Sequence, residues 1–273
     1  MLGEKFLLIQ QEAFLARSSL LSGLDALRNA NVSDSDKGKF YEAFFLLSIG
    51  LERLMKLMVV CHHMAKNQLN PPSNGVLKAA GHNLLGLYET CRNVAILEMP
   101  RPPAFVSEGE LEFEVLKFLS EFAKYSRYYN LDTISAKSDE PDPLAKWWKI
   151  LGREIMESVS AKKRQKIESE SIQYCDSIGA AGFTYMRGMD GQLMTTLEAV
   201  AYPRFAAAAA PYSVWRVIRI AAPIYSLSWR ITDIAHQYEV SIGRNHPEVP
   251  YLYEFFPFLG LDRSTVLSRK TWK

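Results

Sequence analysis

Apolar residues return every third or fourth position along most of this chain, and that rhythm limits its fold more than any other feature. Leu2, Phe6, Ile9, Ala13, Ala16, Leu20, Gly23 and Leu27 are spaced four, three, four, three, and Phe40, Phe44, Leu47, Leu51, Leu54, Met58, Cys61 and Ala65 repeat the pattern. Only an α-helix carries such positions to one face. The beat returns at Leu84, Tyr88, Cys91 and Ala95, then at Leu111, Val115, Phe118, Phe122, Tyr125 and Tyr129, and finally at Val217, Ile220, Ile224, Leu227, Ile231, Ile234 and Tyr238. No stretch sustains the alternation of a half-buried strand. The expected fold class is all-α, an antiparallel helical bundle assembled from near neighbours.

Punctuation along the chain supports this division. Ser107-Glu108-Gly109-Glu110 has the form of a capping box, which starts the fourth helix there. Asp142 before Pro143 reads as an N-cap with proline at the first helical position, opening a helix through Trp147 and Trp148. Pro71-Pro72 and Pro100 to Pro103 mark loops on either side of the third helix. Ile178 to Gln192 contains four glycines but has no preceding strand and no G-K-[ST] ending, so it reads as a long connection rather than a phosphate loop. Residues 1–135 then make a helical core, 136–243 add helices that complete or extend it, and 244–273 form a tail. That tail mixes Pro247, Pro250 and Pro257 with Tyr251, Tyr253, Phe255, Phe256 and Phe258. So aromatic a segment is expected to pack back along the bundle or into a partner.

Composition removes several classes of function. With 32 Lys+Arg against 30 Asp+Glu the net charge is +2, so any grip on nucleic acid must be local. Glu4, Lys5, Glu12 and Arg17 interrupt the N-terminal apolar residues, which argues against an export signal. The longest uncharged stretches, such as Phe205 to Trp215, are about half what a helix needs to cross a bilayer. Cys61, Cys91 and Cys175 are odd in number and lack C-x-x-C spacing, which suits a reduced cytoplasm. Cys61-His62-His63 offers three metal-ligand types, but adjacent helical residues point apart and cannot close on one ion. No metal and no cofactor is expected. Lys162-Lys163-Arg164-Gln165-Lys166, followed by Glu168 and Glu170, reads as a solvated helix face.

Two short motifs carry more. The second helix contains Ser48-Ile49-Gly50-Leu51-Glu52-Arg53-Leu54-Met55-Lys56-Leu57, and after a proline-containing loop comes Gly81-His82-Asn83-Leu84-Leu85-Gly86-Leu87-Tyr88-Glu89. The pair resembles HEPN domains, prokaryotic helical bundles in which a G-[IL]-E-x-L-x-K helix precedes a G-H-x-L-x-x-L helix. The resemblance covers roughly Phe40 to Asp132 and extends to Ser126-Arg127-Tyr128-Tyr129-Asn130. It implies a metal-independent endoribonuclease of a toxin or phage-defence system, with RNA as substrate, a homodimeric assembly and an inhibitory or regulatory protein partner. His82 and Arg127 are candidate substrate contacts on this view. Each also has a local reading: Glu52 and Lys56 form an i, i+4 pair, Gly81-His82-Asn83 makes a turn capped by Asn83, and Arg127 complements the carbonyl end of its helix.

Ribonucleases of that family carry an arginine followed four to six residues later by a histidine on the last bundle helix. Arg230 and His236 fit the spacing here. At about 100° per residue, Tyr225, Trp229, Asp233, His236 and Val240 share the side opposite the Ile231/Ile234 seam. Asp233, three residues from both Arg230 and His236, is placed to orient either, while Trp229 or Tyr225 would stack an unpaired base. Arg230 and His236 point about 120° apart, so a composite site would need two copies of the chain. The same residues also suit a helix packed on both sides, with His236 a satisfied interior histidine and Asp233 its hydrogen-bond partner. In that case the protein is a non-catalytic module binding RNA, a nucleotide or a partner protein.

Overall fold

Two long helices, α1 (Glu4–Asn29) and α2 (Gly38–Lys66), lie antiparallel at the base of the fold in a computed structural model that describes residues 3–33, 36–73, 75, 81–126, 129–136 and 142–273. Their axes approach closely because two glycines meet two leucines. A Cβ on Gly23 would stand 2.8 Å from the Leu47 side chain and 3.0 Å from its backbone nitrogen, and Gly50 meets Leu20 in the same way. A helical glycine costs about 1 kcal/mol against alanine, which the close packing offsets.

The chain continues through α3 (Leu84–Glu98) and α4 (Leu111–Glu121), a π turn at Phe122–Ser126, α5 (Tyr129–Ala136), α6 (Pro143–Ser158) and α7 (Ala161–Ser177). A small hairpin, β1 (Phe183–Arg187) paired antiparallel with β2 (Leu193–Thr195), precedes α8 (Thr196–Ser241). Two 3-10 turns, Leu252–Phe255 and Pro257–Gly260, and a last short helix, α9 (Arg263–Ser268), make up the tail. The fold is all-α apart from the hairpin. One apolar cluster draws on all three stretches distinguished in the sequence, with Phe44, Trp147, Leu227 and Phe256 among its fully buried members. Phe44 sits at its aromatic centre, ring to ring with Phe118 at 4.6 Å and Trp147 at 5.1 Å.

Local signals are honoured unevenly. Asp142 caps α6 as expected, accepting from the Leu144 N–H at 2.8 Å with Pro143 behind it. The fourth helix instead starts at Leu111: both the N–H and the hydroxyl of Ser107 donate to the Glu110 carboxylate, at 3.1 and 2.7 Å, which closes a turn before the helix. Asn83 precedes α3 without a side-chain cap. The hairpin begins inside the stretch read as a plain connection and ends just beyond it. Its strands are too short to show a period, and Phe183 and Tyr185 point to solvent.

The main departure is the length of α8, whose 46 residues begin well before the run that starts at Val217. Thr195 and Glu198 form a full capping box, with the Glu198 N–H on the threonine hydroxyl at 3.2 Å and the Thr195 N–H on the carboxylate at 2.8 Å. Pro203, Pro211 and Pro223 lie inside the helix, each removing one i→i−4 hydrogen bond. The five alanines Ala206 to Ala210, the best helix formers, span the gap between the first two.

Replacing Gly50 with alanine should destabilise the fold by about 1–3 kcal/mol, since the new methyl drives the Leu20 side chain and backbone apart. Urea unfolding of the variant beside wild type measures this, and an unchanged midpoint would remove close helix approach as the reason for the glycine.

Candidate functional site

The face of α8 that carries Tyr225, Trp229 and His236 is covered by the chain's own tail. Trp229 lies flat on Tyr253, ring centroids 3.4 Å apart and 6° from parallel. His236 donates from Nε2 to the Val249 carbonyl at 2.7 Å and meets the Tyr251 ring edge-on at 4.5 Å. Tyr225 packs on Gly260, where a Cβ would stand 2.8 Å from its ring. Two further bonds fasten the segment: Thr232 accepts from the Leu252 N–H at 3.3 Å, and the buried Glu239 carboxylate accepts from the N–H of Glu248 at 2.6 Å. The proline-interrupted tail thus forms an aromatic seam with its neighbouring helix, the first of the two placements foreseen for it.

Arg230 and His236 are not brought together. Arg230 turns the other way, donating from Nε to the Glu98 main-chain carbonyl at 2.8 Å and from Nη1 to Asp233 at 2.7 Å. Asp233 also accepts from Gln237 at 3.0 Å, so it orients the guanidinium and not the imidazole. The carboxylate nearest His236 is Glu239, at 3.8 Å. Trp229 stays half exposed but its flat contact with Tyr253 occupies one ring face, and Arg127 lies outside the described residues.

What Arg230 does meet is a different histidine's anchor. Glu98, the last residue of α3, holds His62 Nε2 on one carboxylate oxygen at 2.9 Å and the Lys66 ammonium on the other at 2.8 Å, while its carbonyl takes Arg230. The Glu98 side chain is 7% exposed, that of His62 17%, and those of Lys66 and Arg230 are open to solvent. Burial pushes the Glu98 carboxyl up, but hydrogen bonds from Lys66 and His62 outweigh it, and its pKa lies below the ordinary 4.5. An ionised carboxylate needs a donor, so His62 presents Nε2–H to it and keeps Nδ1 as its basic atom. The sequence carried Arg230 to this place but gave no sign of His62 and Glu98 as its company, because their contact depends on how α2, α3 and α8 cross.

The two short motifs singled out in the sequence meet in a second cluster of a glutamate, a lysine and a histidine. Glu52 binds Lys56 at 2.8 Å, as the i, i+4 spacing predicts, and its other oxygen binds His82 Nδ1 at 2.9 Å. The Glu52 side chain is 12% exposed, while His82 is open to solvent. Here too burial raises the carboxyl and the bonds from Lys56 and His82 lower it further than that, leaving a net depression.

Sequence reasoning missed a buried ion cluster entirely. Arg216 on α8 grips Glu154 on α6 with two bonds, at 3.0 and 3.1 Å, and reaches Glu112 on α4 at 3.1 Å and the Ser158 hydroxyl at 3.1 Å. Glu154 is 1% exposed. A signal existed: Trp147, Ile150, Leu151 and Glu154 share one helix face, which puts a charge in an apolar seam. The cluster satisfies its own charges and binds α4, α6 and α8 together.

Cys61 and Cys91 are free and wholly buried, and burial pushes both thiols up to about 12, which makes them poor nucleophiles. Cys175 is also free and buried. Among the described residues no three metal-ligand side chains converge, and no helix is long and apolar enough to cross a membrane. Comparison with protein-family models, curated proteins and solved structures returned no match.

Replacing Arg216 with methionine should cost about 3–5 kcal/mol, because it leaves buried Glu154 without its cation and Glu112 with only Arg219 at 3.6 Å; denaturant unfolding at neutral pH reads the loss. Acid should act through the carboxyls held below their ordinary values, Glu52 and Glu98 among them. A carboxyl whose folded pKa is depressed contributes stability that is complete above its unfolded value and is lost as pH falls through the folded one. Urea midpoints should therefore hold from neutral pH to about pH 5.5 and fall below it, less steeply in Glu98→Gln than in wild type.

Proposed function

We propose that this protein is a HEPN-type endoribonuclease that cuts RNA without a metal ion, and that its proton-transfer group is His62 rather than His236. The observation that carries the reading is the convergence of His62, Lys66 and Arg230 on Glu98. It sets an imidazole with a carboxylate behind it beside two solvent-facing cations. His62 Nδ1 takes the proton of the substrate's 2′-hydroxyl, whose oxygen attacks the adjacent phosphorus. Lys66 and the free guanidinium edge of Arg230 offset the added charge on the phosphoryl oxygens. The 5′-oxygen then leaves with a proton from the imidazolium, giving a 2′,3′-cyclic phosphate and a 5′-hydroxyl end. All of these groups come from one chain, so the chemistry does not require the homodimer.

The toxin or phage-defence setting, and an inhibitory partner, rest on the HEPN resemblance alone. A reducing cytoplasm is in keeping with three free, buried thiols. A second reading, binding of RNA, a nucleotide or a protein partner without chemistry, is favoured by one observation: Arg230 already uses Nε and Nη1 within the protein.

Incubation of the purified protein with mixed RNA in EDTA separates the two. Cleavage by wild type, a loss of about 10²- to 10⁴-fold in His62→Ala and an intact all-deoxy control are expected. His236→Ala should weaken tail docking and retain cleavage if its fold survives, as circular dichroism would show. RNA that stays uncut would overturn the enzymatic reading, and cleavage that survives His62→Ala would overturn the role given to His62.

A further inference from the structure

A cleft of about 470 Å³ opens between α6, α7 and the first turns of α8, at the other end of α8 from the proposed cleavage site. At 1.5 Å a residue, roughly 40 Å of α8 separates Tyr202 in this cleft from Arg230. Trp148, Tyr202 and Phe205 line its apolar part, and the first two rings meet at 4.9 Å. Its floor contains Gly152, in the interior of α6. Unlike Gly23 and Gly50, Gly152 has no packing reason to lack a side chain, since an added Cβ would meet nothing within 4 Å. The helix bears the cost of a glycine there, and the visible consequence is open space beside an aromatic wall.

The polar part of the cleft is as specific. Arg164, Gln165 and Glu168 line it from α7. Arg164 and Glu168 stand four apart, the spacing at which a helix usually pairs opposite charges, yet the ion pairs among the described residues include neither. The Arg164 Nε is buried without a hydrogen-bond partner, and Nη1 rests on the thioether sulfur of Met156, a weak acceptor. An aromatic slot is thus edged by an unsatisfied guanidinium and an unpaired carboxylate.

We infer that the cleft is a binding site for an unpaired guanine base. The purine ring has the planarity that aromatic side chains stack on, and the volume falls within the range of small-ligand pockets. Guanine O6 and N7 accept from a guanidinium, while its N1–H and exocyclic N2 amine donate to a carboxylate. Adenine offers an amine where guanine offers O6, so it opposes a donor to Arg164, and a pyrimidine covers less of the wall. The charge pattern therefore favours guanine over the other bases, whether it arrives as a free nucleotide or in a single-stranded RNA.

Titration of the full chain with GMP, followed by tryptophan fluorescence, tests the site without reference to RNA cleavage. Saturable quenching is expected, with AMP and CMP at least about tenfold weaker. Gly152→Leu should abolish the response by filling the floor, and Glu168→Gln should weaken GMP more than AMP. Gly152→Ala serves as the folding control and should melt above wild type, since alanine favours the helix and has room. A guanine-containing single-stranded oligoribonucleotide distinguishes the source: tighter binding than GMP marks RNA, and equal binding marks the free nucleotide. No saturation by GMP or the oligonucleotide, equal affinity for AMP and CMP, or unchanged binding by a folded Gly152→Leu would overturn the assignment. If GMP binds while RNA stays uncut, the cleavage proposal fails and this one stands.

Discussion

Nearly every part of the molecule is fastened to a single helix. α8 packs against α1, α2, α3, α4, α6, α7, the hairpin and the tail, so its 46 residues, about 70 Å of helix, act as the spine of the fold. A helix in that position must be apolar on more than one side. Val217, Ile220, Ile224, Leu227 and Ile231 supply the seam toward the bundle, and the aromatic residues opposite supply a second contact surface for the tail. Its prolines remove backbone donors, and the alanine run and flanking packing compensate for them.

The charged residues of the interior follow from the same geometry. Helices crossing a common spine leave carbonyl ends and long side chains facing inward, where an isolated charge would be expensive. Arg216 answers two carboxylates on two helices, and Glu98 gathers a histidine, a lysine and, through its carbonyl, an arginine. Clusters of this kind hold helices in place. The one around Glu98 differs from the Arg216 cluster in that its cations, Lys66 and Arg230, are open to solvent.

The tail changes the meaning of the α8 face that it covers. Trp229 and Tyr225 on the side away from the Ile231 seam suggested an exposed, functional surface, and an interface between two copies was one way to complete a site there. The chain completes that face by itself. His236, fixed by the Val249 carbonyl and the Tyr251 ring, becomes a clasp for the tail, close to the interior histidine of the alternative reading but with a backbone partner in place of Asp233.

Periodicity alone determined the all-α class and the core faces of α1, α2, α3 and α4, because a 3.6-residue repeat has one structural meaning and needs no knowledge of neighbours. The Asp142-Pro143 start and the Glu52–Lys56 pair were legible for the same reason, being contacts within one or two turns. The reach of α8 through three prolines was not, since local stiffness forbids what packing on every side permits. Which histidine shares Glu98 with Arg230, which carboxylates surround Arg216 and what covers Trp229 were decided by contacts between residues far apart in the chain, 132 positions for Arg230 and Glu98. No spacing within a single segment encodes such distances, so only the folded chain could place those groups together.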